Sequence, residues 1–530
     1  MKTLINRYPI LLLVIIGLGL YGLNLVDLKV SIMEARNFIV AREMLTENHW
    51  FLTTMNDLAR YEKPPFPAWF TTPFVYVFGL DNVWAYRIPT SIFSTLGLVY
   101  FFKLIKLWLP KDLAFYSALV LGTSFYYIAI RFEAPSDIYT HVNMIIGIYF
   151  LVRRHPRIYL KNMILGSLFL GFSILSKGPV SPYALLLPFL LAYFVCFKFD
   201  VKSHLFKLFG FLILGFVVGG SWYLYVRYAD PQTLLEIADK ETDNWTSYNT
   251  RPFYYYWSFF IQTGIWTIPA ALSLMYPYFI NRIKHQRLYK FSFLWTLLAL
   301  VLLSVIPEKK PRYLVPVLFP LALNTVLVIN YLVNHKTNRF SKLFHYLHYP
   351  IIILLCMAVI ISPFMLNILW SDFWFFYVLL SLCSLSIAFF TLRYLKHSNF
   401  KTLFFMNILL VLMLTSLAQS QVQVLKANDD YHSLSRLHPD NKNFNIYYYR
   451  GLSPEIVWTY GEISTPFNSE SNLEEPYRIL VSANHIEDFR AKYPELHTKQ
   501  RPQVYDENYF KSGDRKRKRL VIYVFDIEVN

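Results

Sequence analysis

Residues 31–65 read SIMEARNFIVAREMLTENHWFLTTMNDLARYEKPP and follow directly on the first long apolar run. Glu34, Arg36, Arg42, Glu43, Glu62 and Lys63 thus stand beside a segment apolar enough to enter a bilayer. A charge at the bilayer centre costs roughly 2.5–3.5 kcal/mol on insertion scales, so charges close to it face water or a partner. Clustered next to a spanning helix, they mark a candidate site. The plainer reading is an interfacial helix with Ile32, Ala35, Ile39, Val40 and Met44 on its apolar side. Both readings fit residues 31–47: a helix at the membrane surface that also carries chemistry. Downstream, Pro64 and Pro65 bar a helix and hold the chain extended, so Tyr61, Glu62 and Lys63 are presented from a loop.

Composition extends this reading to the whole chain. Of 530 residues, 55% are hydrophobic, 18% aromatic and only 16% charged, with mean hydropathy +0.34. Soluble domains run at about 25% charged, so the fold class is a mainly α, polytopic membrane bundle. Runs long enough to span, about 17–25 residues, fall near 9–26, 91–109, 113–130, 136–152, 162–177, 180–197, 205–226, 257–280, 291–306, 314–333, 350–370, 373–392 and 402–419. The expectation is about thirteen spans, the first an uncleaved signal-anchor. A net charge of +17 is no nucleic-acid signal here, because basic residues accumulate in cytoplasmic loops. Cys196, Cys356 and Cys383 show neither metal-ligand spacing nor a disulfide framework.

Loops rich in Lys and Arg and nearly free of acid, such as Lys103–Lys111, Arg282–Lys290 and Arg393–Lys401, read as cytoplasmic. The N-terminus is then cytoplasmic, and an odd number of spans puts the C-terminal tail on the outer face. The outer side receives residues 27–90, Arg131–Asp137, Ser176–Pro179, Arg227–Arg251, Pro307–Arg312 and the tail. Residues 1–419 form the membrane domain, with 27–90 as its first outer loop. Residues 420–530 drop the apolar runs and read as a small α/β domain, with strands at Phe444–Tyr449, Arg478–Val481 and Leu520–Phe525 and a helix at His485–Tyr493. Its basic run Arg515–Arg519 suits lipid headgroups or a solvated hairpin turn.

Several outer segments carry candidate chemistry. Asp137 lies at the mouth of a span behind Pro135 and Ser136, where it either caps the helix or serves a site with Arg131 and Glu133 close by. Lys177-Gly178-Pro179 breaks the chain between two spans; a tight turn explains the glycine and proline but not the lysine. The acidic stretch with Glu236, Lys240, Glu241 and Asp243 reads as a loop able to close over a ligand. Pro307–Tyr313 is the densest outer basic cluster, and an anionic lipid phosphate would be a reason for it. Phosphate-binding Gly-rich loops, H-E-x-x-H and C-x-x-C are absent from the sequence.

These pieces, in order, resemble the polyprenyl-phosphate-sugar-dependent membrane glycosyltransferases of the C-type fold. The likeness is to the bacterial transferases that add aminoarabinose to lipid A and to the protein O-mannosyltransferases. The family pattern Asp-Glu-x-Arg-Tyr is met by Met33-Glu34-Ala35-Arg36-Asn37, and Tyr-x-Glu-Lys-Pro by the stretch Tyr61–Pro65. Phe78-Gly79, Arg87-Ile88-Pro89, Asp137, Lys177-Gly178-Pro179 and the set Lys310, Tyr313 and Pro316 follow. The resemblance runs to about residue 335 and departs at Met33, where the family has aspartate.

It implies a sugar carried on a polyprenyl phosphate and passed to a glycolipid of the lipid A type, or to a protein. Arg36, Lys63, Arg131, Lys177, Lys310 and Arg312 are then the cations for the donor phosphate. Asp137 is the first choice of catalytic carboxylate and Glu34 the second, with Tyr61, Glu62, Glu241 and Tyr313 positioning the substrate. No cofactor is demanded, and a divalent metal stays open. The rival classes are a lipid-linked-sugar transporter, for which charged or broken helices at the midplane and repeat symmetry are expected, and a non-enzymatic membrane scaffold, which would not explain Glu-Lys-Pro-Pro and Lys-Gly-Pro together.

Overall fold

The computed structural model describes residues 2–23, 25–26, 28–133, 135–153, 159–197, 201–335, 338–365, 374–394, 404–415, 428, 430–437, 444–468, 475–494, 496, 501–509 and 517–528. Parts of the last three expected spans, and Arg515 and Lys516 of the basic run, lie outside these residues. Contacts divide the chain into two compact units: Met1–Val26, Glu62–Pro67 and Arg87–Ser420 in the first, Asp27–Tyr61, Ala68–Tyr86 and Gln421–Asn530 in the second. The division differs from one drawn at 419/420, because most of the first outer loop groups with the tail.

The first unit is helical. Among the described residues, five helices are long and apolar enough to cross a membrane, and six if one bent pair is a single span. That pair, Lys111–Gly122 and Phe125–Glu133, bends by 49°. At the joint the hydroxyls of Thr123 and Ser124 donate back to the carbonyls of Leu119 (2.6 Å) and Val120 (2.7 Å), which bends helices. Pro135–Val152 and Tyr159–Lys177 pack closely: Thr140 Oγ1 donates to the Ser173 carbonyl at 2.8 Å and Ser173 Oγ to the Thr140 carbonyl at 2.7 Å. Lower in the seam a Cβ on Gly147 would stand 3.2 Å from the Gly166 carbonyl oxygen, the close approach that small residues permit.

Two expectations are corrected. Residues 257–280 form no single spanning helix: 3₁₀ turns at Phe253–Tyr256 and Phe259–Trp266 lead into the short helices Thr267–Ser273 and Tyr276–Phe279. Gly264 at φ +65° breaks the run, and a Cβ there would come within 2.8 Å of the Phe125 Cβ. The stretch Arg227–Arg251, read as a loop, contains the helix Pro231–Ser247. A further helix, Phe66–Phe78, begins directly after Pro65.

In the second unit the tail forms a five-stranded sheet in the order Thr465–Pro466, Asn445–Tyr449, Tyr477–Ser482, Val521–Ile527, Gln503–Asp506. The first three strands run parallel, and the last two antiparallel. Tyr477–Ser482 is buried at every position, as a central strand covered on both faces requires. The first outer loop joins this unit through the helix Ile32–Thr46. Its buried Glu43 accepts from Thr54 Oγ1 and the Asn56 amide, both at 2.6 Å, which holds the hairpin turn Met55–Leu58. Asn56 and Asp57 there take φ of 58° and 57°, the type I′ geometry that Asn and Asp tolerate. The Asn56 side chain in turn pairs with the Ser464 backbone, at 2.9 and 2.8 Å.

Candidate active site

Charge converges in the first unit from separate stretches of chain. Asp137 stands in the first turn of Pro135–Val152 and is 1% exposed. Its side chain does not cap that helix: Oδ1 accepts from Lys177 Nζ at 2.5 Å. His141 Nε2, one turn on, lies 3.7 Å from the same oxygen. Asp137 Oδ2 is buried with no hydrogen-bond partner among the described residues. Lys177 is the last residue of its helix, and Gly178 at φ +71° turns the chain immediately after it. That left-handed position is what the glycine of Lys-Gly-Pro supplies.

Three further cations surround this pair. Lys63 is half-buried and acts electrostatically on Asp137, while Arg312 and Lys310 act on Lys177. The Tyr313 ring joins the group, its centroid 5.1 Å from Lys177 Nζ and 5.8 Å from both Lys310 Nζ and Arg312 Cζ. Lys310 is ion-paired with Glu308, to which Tyr313 also donates at 3.1 Å. The loop is fastened from below. Lys309 is buried and donates to the carbonyls of Arg251 (2.9 Å) and Ile306 (2.6 Å), and Gln262 donates to that of Pro311 at 2.7 Å. One lysine of the pair thus anchors the loop, and the other is left for the site.

Other predicted residues are placed differently. Arg131 is buried and donates to the carbonyls of Tyr21 and Leu23, the latter at 3.0 Å, and to Ser91 Oγ at 3.3 Å. Arg87 donates to the Leu25 carbonyl at 3.0 Å. Together they hold the end of the helix Pro9–Tyr21 and the chain just beyond it, where carbonyls lack intrahelical partners. Glu34 belongs to the second unit and forms a capping box: its Oε2 accepts from the Ser31 amide at 3.0 Å, and Ser31 Oγ accepts from the Glu34 amide at 3.2 Å. Arg36 and Tyr61 are in the second unit too, Arg36 half-buried and Tyr61 buried. Glu62 is exposed, and Glu241 is half-buried on Pro231–Ser247 with no ion pair among the described residues.

Sequence reasoning missed His141 and Glu308 as members of the cluster. The spacing of Asp137 and His141, four apart on one helix face, was the available signal. Glu133, noted only as a neighbour of Asp137, accepts from Tyr126 at 2.5 Å. Among the described residues no three His, Cys, Asp or Glu side chains gather as a metal site would require. What the cluster offers is cationic charge around one buried, partly unpartnered carboxylate: a place for a phosphate beside a group able to take a proton.

The fold has a counterpart among solved structures. Over 97% of both chains it superposes, with a TM-score of 0.69 at 16% identity, on the crystal structure of ArnT from Cupriavidus metallidurans bound to undecaprenyl phosphate. The chain has the C-type glycosyltransferase fold of ArnT. Residues 62–222, which contain Lys63, Asp137 and Lys177, match the family described as dolichyl-phosphate-mannose-protein mannosyltransferase. Relatives include the undecaprenyl phosphate-α-4-amino-4-deoxy-L-arabinose arabinosyl transferase of Wigglesworthia glossinidia brevipalpis, 23% identical over 55% of this chain and 53% of that protein. The corresponding transferase 1 of Pseudomonas fluorescens is 25% identical over 58% of this chain and 55% of its own. The matched region therefore spans little more than half the length of these relatives.

Proposed function

We propose that the protein is a membrane glycosyltransferase that takes a sugar from a polyprenyl-phosphate donor. The acceptor is a glycolipid of the lipid A type, at the outer face of the inner membrane. The observation that carries the reading is the buried Asp137–Lys177 pair with Lys63, Lys310 and Arg312 around it. Support for the donor comes from the names of the relatives and from the undecaprenyl phosphate in the ArnT structure.

In the proposed step the acceptor oxygen bonds to the sugar's anomeric carbon as the bond from that carbon to the phosphate oxygen breaks. The bond's electron pair leaves with the polyprenyl phosphate, which changes from a singly charged diester to a monoester with more negative charge. Lys63, Lys177, Lys310 and Arg312 stabilise that added charge, and guanidinium or ammonium contacts to phosphate are charge-assisted. The acceptor's proton passes to Asp137 Oδ2, the oxygen that Lys177 leaves open. General-base assistance of this kind contributes about 10²–10⁴-fold. Glu34 is a weaker second choice, since its carboxylate is part of the capping box. Tyr313, among the three cations, lines the donor subsite, while Glu62 and Glu241 position the substrate.

A protein acceptor is the second reading, favoured by the family that residues 62–222 match. Mass spectrometry of surface glycolipids and glycoproteins from a deletion strain separates the two. Loss of a sugar from glycolipid alone supports the first and from glycoprotein alone the second, while an unchanged profile of both contradicts the transferase reading.

A further inference from the structure

His141 has no part in the step above, yet it is 1% exposed and aimed at the reacting carboxylate. Its Nδ1 lies 3.1 Å from Ser181 Oγ, and its Nε2 has no hydrogen-bond partner among the described residues. With Ser181 donating to Nδ1, a neutral ring carries its proton on Nε2, the nitrogen that faces Asp137. Ser181 is fully buried, and a π-helical segment, Pro182–Leu186, begins right after it. Such segments are frequent at functional sites. From Nε2 to Asp137 Oδ1 is 3.7 Å, so a shift of about 0.9 Å would make a full hydrogen bond.

Lys177 carries a conflict that His141 resolves. Its ammonium bonds Asp137, yet Lys310 and Arg312 place it in the group that receives the donor phosphate. A phosphate bearing more charge than one carboxylate draws the ammonium toward itself. Asp137 would then be a buried carboxylate without its cation, an arrangement strongly disfavoured unless another donor replaces the lost one. We infer that His141 is a positioning residue that takes over the Asp137 carboxylate when Lys177 turns to the donor phosphate. The imidazole holds Oδ1, which keeps Oδ2 aimed at the acceptor and the carboxylate ionised. No bond to substrate is made by His141 itself. This inference rests on the donor reading proposed above.

The test uses the full-length protein in lipid nanodiscs, as wild type, His141→Ala and His141→Gln. Undecaprenyl phosphate binding is measured by titration, and turnover is measured with polyprenyl-phosphate lipids extracted from the deletion strain. Glutamine places an N–H near the position of Nε2. The expected result is a split. His141→Ala binds undecaprenyl phosphate within about twofold of wild type but turns over about ten- to a hundredfold more slowly at saturating donor, and His141→Gln recovers to within about threefold. Wild-type turnover in His141→Ala would overturn the inference. So would equal loss in both variants, or loss of undecaprenyl phosphate binding by His141→Ala while wild type binds. Failure of the wild type itself to bind undecaprenyl phosphate would overturn the donor reading, and this inference with it.

Discussion

Glu34 and Asp137 are both buried carboxylates at helix starts, and their partners separate them. Glu34 accepts from the Ser31 amide, so its substitution acts on stability before chemistry. Glu34→Ala is expected to cost about 1 kcal/mol of stability, the usual worth of a cap. Thermal unfolding in detergent checks it: a lowered midpoint with retained transfer is the expected outcome. Lys63→Ala, by contrast, removes a cation from the neighbourhood of Asp137 in a loop, and weak undecaprenyl phosphate binding with an unchanged unfolding midpoint should follow. Binding at wild-type strength would move the phosphate toward Lys310 and Arg312. Arg131→Ala should behave unlike Lys63→Ala. Its guanidinium satisfies the carbonyls of Tyr21 and Leu23, so loss of expression or stability, roughly 1–3 kcal/mol per buried group left unpaired, is the expected readout.

At the scale of elements, apolar length located the helices because a span must be long and continuous. Pro135–Val152, Gln286–Val305 and Val315–Asn334 lie where the hydrophobic runs placed them. In the tail, strands rich in β-branched and aromatic residues were legible for the same local reason: Asn445–Tyr449, Tyr477–Ser482 and Val521–Ile527. Length alone was blind to breaks. The segment 257–280 is apolar nearly throughout, yet Gly264 stands so near Phe125 that a Cβ would come within 2.8 Å of the Phe125 Cβ, a proximity that no local pattern encodes. Gly264→Ala is expected to destabilise the protein by about 1–3 kcal/mol, for a left-handed φ and a crowded Cβ together. An unfolding midpoint equal to wild type would contradict that account of the break. The site was half legible. Asp137, Lys177, Lys63, Lys310 and Arg312 stood out as charges at the ends of apolar runs, where charge is costly. The roles of Arg131 and Lys309 were hidden because both bond carbonyls distant in the chain, and sequence carries no mark of such partners.

For the whole molecule, the proposed mechanism requires every cation of the cluster to face the pool that holds the donor. The topology expected from the alternation of basic loops has residues 420–530 outside and the N-terminus in the cytoplasm. Reporter fusions after Lys401 and after Ala427 should therefore report opposite sides, and cytoplasmic activity at both would put the cluster on the wrong face. Asp137→Asn preserves shape and hydrogen bonding but removes the base. Transfer from a polyprenyl-phosphate-linked sugar is the most direct measurement, read by mass spectrometry of the acceptor after incubation with purified wild type or Asp137→Asn. Turnover about a hundredfold or more below wild type, with undecaprenyl phosphate binding retained, is the predicted result. Transfer by Asp137→Asn at the wild-type rate would contradict the account.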